Sequence, residues 1–290
     1  MKLGALVPLC EILIFYFYEG GYNSIYNAIP TIINHSFMVS VETNSKLLTD
    51  QFSFFDKNGY LVMPQYLNTS LCNDLKRSVD NLLVARKKGE KPLVISENPL
   101  GHLVSHEETM AIANDLLGKD FVLHHIHADR HEAGKGSSFW HQDYEQEPQR
   151  DRKFGMFHVF YYLSGLNGEI GDLLVLPGSH KTVTQNSLAI FEDRDLPGYI
   201  AFNSLPPGSA VFVHSALFHA RRAKGGGENN PRYFVDCSYC QKGPLWPANS
   251  RNREISEYAL SAGYDKDGKY AHLFDFTQFI GQASVNEKQY

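Results

Sequence analysis

The segment GDLLVLPGSHK, residues 171–181, is the stretch from which we predict the fold class of this chain. It contains a short apolar run, residues 173–176, that leads directly into the turn-forming residues Pro177, Gly178 and Ser179. Comparable runs rich in Val, Tyr and Phe occupy residues 121–128, 156–163, 210–218 and 233–239. Many short strands separated by turns are typical of a sandwich or barrel, and we predict a jelly roll.

Helical patterns come before the strands. Asn68 offers a helix N-cap, and apolar side chains recur at helical spacing from Leu71 to Leu83. A second helical stretch covers residues 107–117 and ends before Gly118, a residue type favoured after helix C-termini. We therefore expect a mainly β protein with flanking helices.

Length and composition describe an ordinary globular protein. The 290 residues are 43% hydrophobic and 20% charged, so the chain can bury a sizeable core. The net charge of -5 gives no electrostatic reason to expect nucleic acid as a partner. We predict an N-terminal extension of unknown role at residues 1–48 and a single domain at residues 49–290, with a lid around residues 181–207.

The first residues of the chain bear on its location. An apolar run within residues 1–18 resembles a signal peptide, but Glu11 interrupts it and no small-residue cleavage site follows. The run is also short for a bilayer span. We expect no stable membrane span and a cytoplasmic location, while organellar or secretory targeting by the extension stays open. Cys237 and Cys240 form a lone C-x-x-C, which favours two independent thiols over a zinc site.

The triplet His141-Gln142-Asp143 places an imidazole and a carboxylate one residue apart. On a strand, residues i and i+2 share a face, so both side chains can reach one metal ion. A histidine from a distant strand, such as His219, would complete a set of two histidines and one carboxylate. That set leaves coordination positions open and is typical of non-haem Fe(II) oxygenases. Arg232, farther along, could then hold an acidic co-substrate.

Several motifs follow in a fixed order along the chain. They are H-x-D at residues 141–143, G-x-L-x-V-x-P-G-S-H-K at residues 171–181, P-G-x-x-V-x-x-H-x-x-x-x-H at residues 207–219, and then Arg232. This order resembles the phytanoyl-CoA dioxygenase family, as does FDKNGYLV at residues 55–62, and the resemblance covers roughly residues 50–245. It implies a double-stranded β-helix, a cupin-like form of jelly roll, and an Fe(II)- and 2-oxoglutarate-dependent oxygenase.

The resemblance also implies roles for individual residues. The iron ligands would be His141, Asp143 and His219, and the co-substrate contacts would be Arg232 and Gln142. Position in the sequence, apart from the resemblance, adds His127 as a possible co-substrate contact and Trp140, Tyr144 and Arg221 as possible substrate contacts, with ordinary core or loop residues as the alternative. His214 is an alternative third ligand, although its place in an apolar strand favours a packed core histidine. Taken singly, His127 is better explained as a satisfied strand histidine.

The implied reaction is oxidation of a small molecule by O2, coupled to conversion of 2-oxoglutarate to succinate and CO2. Related halogenases lack the carboxylate ligand, so Asp143 favours hydroxylation, with desaturation or cyclisation as alternatives. An arginine at position 221 facing the pocket would favour an anionic substrate. Two other classes stay open: a cupin-type metal dioxygenase that does not use 2-oxoglutarate, and a non-catalytic jelly-roll binding module. The substrate and the oligomeric state are not readable from the sequence.

Overall fold

The structure is a computed structural model that describes residues 47–143, 153–182, 187–191, 195–226, 230–249 and 251–280. Its helices are α1 (Thr49–Asn58), α2 (Thr69–Lys87), α3 (Asn98–Leu103), α4 (Glu107–Leu117) and α5 (Asn252–Ser261). Its strands are β1 (Tyr60–Met63), β2 (Phe121–His131), β3 (Phe139–His141), β4 (Met156–Tyr162), β5 (Leu166–Asn167), β6 (Gly171–Val175), β7 (Ser187–Phe191), β8 (Ile200–Phe202), β9 (Ser204–Leu205), β10 (Ser209–His214), β11 (His219–Ala223), β12 (Arg232–Gln241), β13 (Trp246–Pro247) and β14 (Phe279–Ile280).

Two five-stranded antiparallel sheets form the body of the protein. The first sheet has the order β1-β10-β4-β12-β2, and the second has the order β7-β3-β11-β6-β8. Along the chain, β2, β4, β10 and β12 of the first sheet alternate with β3, β6 and β11 of the second. This alternation is the connectivity of a double-stranded β-helix, so the predicted jelly roll is confirmed.

Strand β4 shows how the first sheet divides its side chains between two layers. All of its residues are buried, because both faces of the sheet are covered. Tyr161 points outward to the helices, where Thr109 of α4 lies 2.8 Å from its hydroxyl. Phe160 points inward, and its ring lies 5.5 Å from the ring of His219 in the second sheet. The inward face therefore lines the interior between the two sheets.

Local sequence signals set the helix ends. The Asn68 side chain accepts a hydrogen bond of 2.9 Å from the backbone N–H of Leu71 and caps α2, as predicted. Helix α4 covers the predicted residues and ends at Gly118, which has a φ of 76°. Leu75, Val79 and other apolar residues of α2 are buried against the first sheet and complete the outer layer of the core.

Other expectations from the sequence concern segments at the edge of the fold. Parts of the predicted lid belong to the second sheet, because β7 pairs with β3 and β8 pairs with β6. The domain boundaries and the covering role of residues 181–207 stay predictions, and residues 1–46 lie outside the described residues. Cys237 and Cys240 are buried free thiols, as expected. No helix in the described part of the chain has the length and apolar character needed to cross a membrane.

Candidate metal and co-substrate site

Strands β3 and β11 bring the three predicted metal ligands together. His141 is the last residue of β3 and pairs directly with His219, the first residue of β11. Asp143 follows two residues later, and its backbone N–H donates a 2.7 Å hydrogen bond to the carbonyl of Ser215. The loop before β11 thus fixes Asp143 next to both imidazoles.

The ligand atoms of these residues converge on one point. His219 Nε2 lies 3.1 Å from Oδ2 of Asp143, and His141 Nε2 lies 3.4 Å from Oδ1. The two imidazole centroids are 4.3 Å apart, and one ligand atom from each residue lies within 4.8 Å of the others. We call His141, Asp143 and His219 the metal-ligand cluster.

Backbone carbonyls set the tautomers of both histidines. Nδ1 of His141 lies 2.7 Å from the carbonyl oxygen of Phe139, and Nδ1 of His219 lies 3.0 Å from that of Leu217. A carbonyl oxygen only accepts, so each neutral ring carries its proton on Nδ1 and directs the Nε2 lone pair at Asp143. Two imidazole nitrogens and a carboxylate directed at one point are a donor set that fits Fe(II).

Electrostatics favour a charged carboxylate at this point. Burial acts to raise the pKa of Asp143, but the charges of His219 and His141 outweigh it and hold the pKa well below its usual range. Burial acts to lower the pKa of His141, and the charge of Asp143 and its hydrogen bond reverse the direction and raise it. The cluster therefore keeps an anionic ligand at neutral pH.

A second group of polar side chains lies directly behind the cluster. We call His125, His158, Asp236 and Ser238 the buried His–Asp network. Nδ1 of His158 lies 2.9 Å from Oδ2 of Asp236 and 2.6 Å from Oγ of Ser238, while His125 Nε2 lies 3.2 Å from that hydroxyl. His158 Nε2 is 3.9 Å from Oδ2 of Asp143, so the network backs the cluster.

The network also has the donor types and spacing of a metal site. Nδ1 of His158 and Nε2 of His125, however, already contact Asp236 or Ser238 within the network, which makes it a hydrogen-bonded support for the cluster. His158 and Asp236 are not among the site residues predicted from the sequence. One signal for them was available in the sequence, because Asp236 and Ser238 are polar residues at alternate positions of an otherwise apolar strand and so share one face. The register of β12 with β4, which pairs Ser238 with His158, shows that this face is the inner one.

Arg232, the first residue of β12, is a buried cation beside this interior. Arg232 is only 3% exposed, and its guanidinium carbon lies 5.2 Å from the centroid of the Tyr162 ring. Nη1 is 3.5 Å from the carbonyl oxygen of Asp172, Nη2 is 3.3 Å from the Tyr162 hydroxyl, and Nε has no hydrogen-bond partner among the described residues. A buried guanidinium held by uncharged oxygens is suited to an incoming carboxylate.

The remaining predicted site residues are distributed differently. Gln142 is buried and donates a 2.5 Å hydrogen bond to the carbonyl of Ala216, so it braces the loop before β11. His127 of β2 is open to solvent and pairs in register with Asp236. The co-substrate roles of Gln142 and His127 stay predictions. Tyr144 lies outside the described residues.

Trp140 does not face the metal-ligand cluster. Successive strand residues point to opposite faces, so Trp140 points away from the direction of His141. It is fully buried, packs with Leu174 and Phe218, and meets the Tyr199 ring edge-on at 6.1 Å. The structure thus brings this predicted substrate residue to the apolar core of the second sheet.

His214 and His180 are held by contacts elsewhere. Nδ1 of His214 accepts a 3.0 Å hydrogen bond from the backbone N–H of Ala216, and its ring lies 5.0 Å from that of His180. His180 Nε2 lies 2.9 Å from the carbonyl oxygen of Asp56, which ties the Pro-Gly-Ser turn to α1. His219, not His214, is therefore the histidine that reaches Asp143.

Comparison with known proteins adds a family and a fold. The profile of the family described as "Phytanoyl-CoA dioxygenase (PhyH)" matches residues 55–226. An ectoine dioxygenase from Nocardia farcinica (strain IFM 10152) is 24% identical over 153 residues, which are 46% of this chain and 51% of that protein. The match thus spans about half the length of this curated relative.

Solved structures share the fold at low identity. HygX from Streptomyces hygroscopicus, with nickel and 2-oxoglutarate bound, has a TM-score of 0.56 at 18% identity. The matched region covers 71% of this chain and 90% of the HygX chain. EctD from S. alaskensis, with bound Fe, has a TM-score of 0.57 at 19% identity, covering 71% and 79%. The carbocyclase SnoK from nogalamycin biosynthesis has a TM-score of 0.57 at 17% identity, covering 73% and 91%.

Proposed function

We propose that this chain, which belongs to the phytanoyl-CoA dioxygenase family, is a non-haem Fe(II)- and 2-oxoglutarate-dependent dioxygenase that acts on a small molecule. Membership follows from the profile match over residues 55–226, more than half of the 290 residues. The observation that carries the activity is the metal-ligand cluster, in which two Nε2 lone pairs and a carboxylate converge.

His141, Asp143 and His219 hold the iron in this proposal. Bound iron and 2-oxoglutarate supply the oxidising chemistry with O2, and succinate and CO2 are the co-products. The protein orients the ligands: the carbonyls of Phe139 and Leu217 fix the two imidazoles. The buried His–Asp network lies behind Asp143 and excludes water from that side of the carboxylate.

Arg232 binds the distal carboxylate of 2-oxoglutarate in the proposal. Its planar guanidinium matches a carboxylate, and the partners printed for it among the described residues, the Tyr162 hydroxyl and the Asp172 carbonyl, are uncharged. Ligands of related folds support the assignment, because HygX has been crystallised with 2-oxoglutarate and EctD with 2-oxoglutarate and 5-hydroxyectoine. His127, which is open to solvent, and Gln142 are secondary candidates for co-substrate contact.

The substrate is a small molecule in this proposal, and hydroxylation is the expected outcome because Asp143 occupies the carboxylate position. The structural relatives bind or make different compounds: HygX has been solved with hygromycin B, and SnoK is described as a carbocyclase. Cyclisation and desaturation are accordingly the alternative outcomes. Arg221 and Tyr144 are the candidate substrate contacts that the sequence offers, and an anionic substrate would suit an arginine.

The two rival functions are less well supported. A metal dioxygenase independent of 2-oxoglutarate has no use for the buried Arg232, and a binding module has no use for an open metal cluster. The test is succinate formation from 2-oxoglutarate by anaerobically purified protein given Fe(II) and then O2. We expect wild type and the control His214→Gln to release succinate and His219→Ala to fall to background. Equal succinate from all variants, or none from wild type over a broad substrate panel, contradicts the proposal.

A further inference from the structure

The buried His–Asp network continues away from the metal-ligand cluster, toward the C-terminal part of the protein. Nδ1 of His125 lies 2.8 Å from Nδ1 of His124, and Nε2 of His124 lies 3.0 Å from the carbonyl oxygen of Pro247. On the other side, Ser238 joins His125 to His158, whose ring lies next to the cluster. We call these residues the histidine chain: Pro247, His124, His125, Ser238 and His158.

Local structure brings the members of the histidine chain into contact. The register of β2 with β12 passes from Leu123 to His125 and skips His124, which is the extra residue of a β-bulge. Neighbouring residues of a regular strand point to opposite faces, but at the bulge the rings of His124 and His125 meet, with centroids 5.1 Å apart. Pro247 is held in place by the pairing of β13 with β14. The backbone therefore fixes the start of the chain.

The direction of each hydrogen bond follows from the acceptor at Pro247. A carbonyl oxygen only accepts, so Nε2 of His124 carries a proton. Burial holds the pKa of His124 well below its usual range, so the ring is neutral and its Nδ1 is an acceptor. His125 must therefore donate from its own Nδ1, and in its neutral form it accepts at Nε2.

Ser238 passes this order on to His158. A serine hydroxyl has one proton to donate, and the acceptor for it is Nε2 of His125, 3.2 Å away. The Ser238 oxygen can then only accept from Nδ1 of His158, 2.6 Å away. The neutral ring of His158 thus carries its proton on Nδ1, and its Nε2 lone pair faces Oδ2 of Asp143 at 3.9 Å.

Asp236 supports the same proton position. Its Oδ2 lies 2.9 Å from Nδ1 of His158. Burial acts to raise the pKa of Asp236, but the charges of His158 and His125 and their hydrogen bonds outweigh it and lower the pKa. Asp236 is therefore a carboxylate, which only accepts, and it too requires a proton on Nδ1 of His158.

The opposite proton order would act against the metal ligand. If Ser238 donated its proton to Nδ1 of His158, the neutral ring would carry its proton on Nε2 and present a donor to Asp143. That donor would compete with the metal ion for the lone pairs of the Asp143 oxygen. The order set from Pro247 presents a lone pair instead and leaves the carboxylate to the metal.

We propose that Pro247 and His124 are positioning residues, which act through the histidine chain to keep the proton of His158 on Nδ1 and a lone pair toward Asp143. The consequence for metal binding rests on the proposed function. Ser238 and Pro247 lie beyond residues 55–226, which the family profile matches, so family membership does not by itself imply this arrangement.

The test first locates the protons in wild-type protein that contains neither metal nor co-substrate. NMR of protein labelled in the ring nitrogens of its histidines distinguishes a nitrogen that carries a proton from one that does not. At about pH 8 we expect a proton on Nε2 of His124 and on Nδ1 of His125 and His158. A proton on Nε2 of His158 overturns the inference, as does a proton on Nδ1 of His124.

Substitutions then test whether His124 controls His158. His124→Phe removes the acceptor for His125, which frees Ser238 to donate to His158. We expect the form of His158 protonated on Nε2 to appear and the Ni(II) affinity, measured by competition with a chelator, to fall about 10-fold. His124→Phe combined with Ser238→Ala removes that donor as well, so the proton position and the affinity should both return. His124→Gln keeps a donor and an acceptor in its amide and should resemble wild type.

His272→Phe is the matched control. His272 is a partly buried histidine whose ring meets that of Phe121 at the start of β2, so its loss should leave His158 and the metal affinity unchanged. A His124→Phe protein in which His158 keeps the wild-type proton position overturns the inference, and so does a loss of affinity that Ser238→Ala does not restore. The proton positions are measured without metal, so a wild type with the expected tautomers that forms no succinate contradicts the proposed function alone.

Discussion

Replacing Arg232 by methionine should weaken 2-oxoglutarate binding strongly while leaving the protein without co-substrate about as stable as before. Methionine retains much of the apolar length of the side chain and removes only the guanidinium. In the folded protein that group has long polar contacts, 3.5 Å to the Asp172 carbonyl and 3.3 Å to the Tyr162 hydroxyl. Its charge is nevertheless withdrawn from water, with 3% of the residue exposed.

These contacts set the expected magnitudes. Losing both long hydrogen bonds costs about 1 kcal/mol, and losing the contact with the Tyr162 ring costs about 1 kcal/mol more. Removing a buried, unpaired cation offsets these losses, because its desolvation penalty is of a few kcal/mol. The free energy of unfolding should therefore change by no more than about 1 kcal/mol. A paired, charge-assisted contact with a carboxylate contributes about 3 kcal/mol, so the affinity for 2-oxoglutarate should fall by more than about 100-fold.

The assay combines urea unfolding of the metal-free protein with calorimetric titration of the Ni(II)-loaded protein. Arg130→Met is the control, since Arg130 pairs with Asp80 and Glu132 near the surface and should not affect co-substrate binding. A loss of more than about 3 kcal/mol of stability in Arg232→Met, with 2-oxoglutarate affinity preserved, would contradict the proposed role of Arg232. That result would make Arg232 a structural residue.

Three further predictions concern stability and support of the site. Asp236→Asn removes the negative charge that lies 2.9 Å from His158 Nδ1 and replaces one carboxylate oxygen by an NH2 group. We expect a loss of about 3 kcal/mol in urea unfolding and about 10- to 100-fold in metal affinity by competition titration; unchanged values would show that the network is dispensable. Gly171 has a φ of 126°, and a Cβ there would lie 2.2 Å from a backbone carbonyl oxygen, so Gly171→Ala should lower stability by about 2 kcal/mol or more. Gly225 has open space around it, so Gly225→Ala should leave stability unchanged. Equal melting temperatures of the two variants would contradict this prediction. Burial holds the pKa of His124 well below 6.5, so below that pH the unfolded chain binds a proton that the folded chain does not. The free energy of unfolding should therefore fall by about 1.4 kcal/mol for each pH unit below 6.5. His124→Gln should reduce this slope, and an identical slope in both proteins would exclude His124 as its source.

The parts of the fold that follow from local signals were predictable from the sequence. Asn68 and Gly118 mark the start of α2 and the end of α4, because each acts on backbone within a few residues. The face that each strand residue presents was less accessible. Trp140 is next to the metal ligand His141 in sequence but points to the opposite face of the second sheet. Both faces bury rings at this point, Trp140 on one and His141 with His219 on the other, so an apolar pattern does not tell them apart.

The same distinction holds for the site. His141 and Asp143 are joined by a local motif, and the spacing of His219 and Arg232 resembles a known family, so these residues could be proposed from the sequence. The contact of His158 with Asp236 joins residues 78 positions apart and depends on the register of β4 with β12. The local sequence of either strand does not determine that register.

The position of the bound iron ion decides whether the metal-ligand cluster is the active metal site. Crystals grown without oxygen in the presence of Fe(II) can be measured on both sides of the iron absorption edge, and the anomalous difference map then locates the ion. We expect one iron peak in the metal-ligand cluster, within about 2.2 Å of Nε2 of His141, Nε2 of His219 and an oxygen of Asp143. An iron peak in the buried His–Asp network, or no peak from protein that contains one iron per chain, would contradict the account.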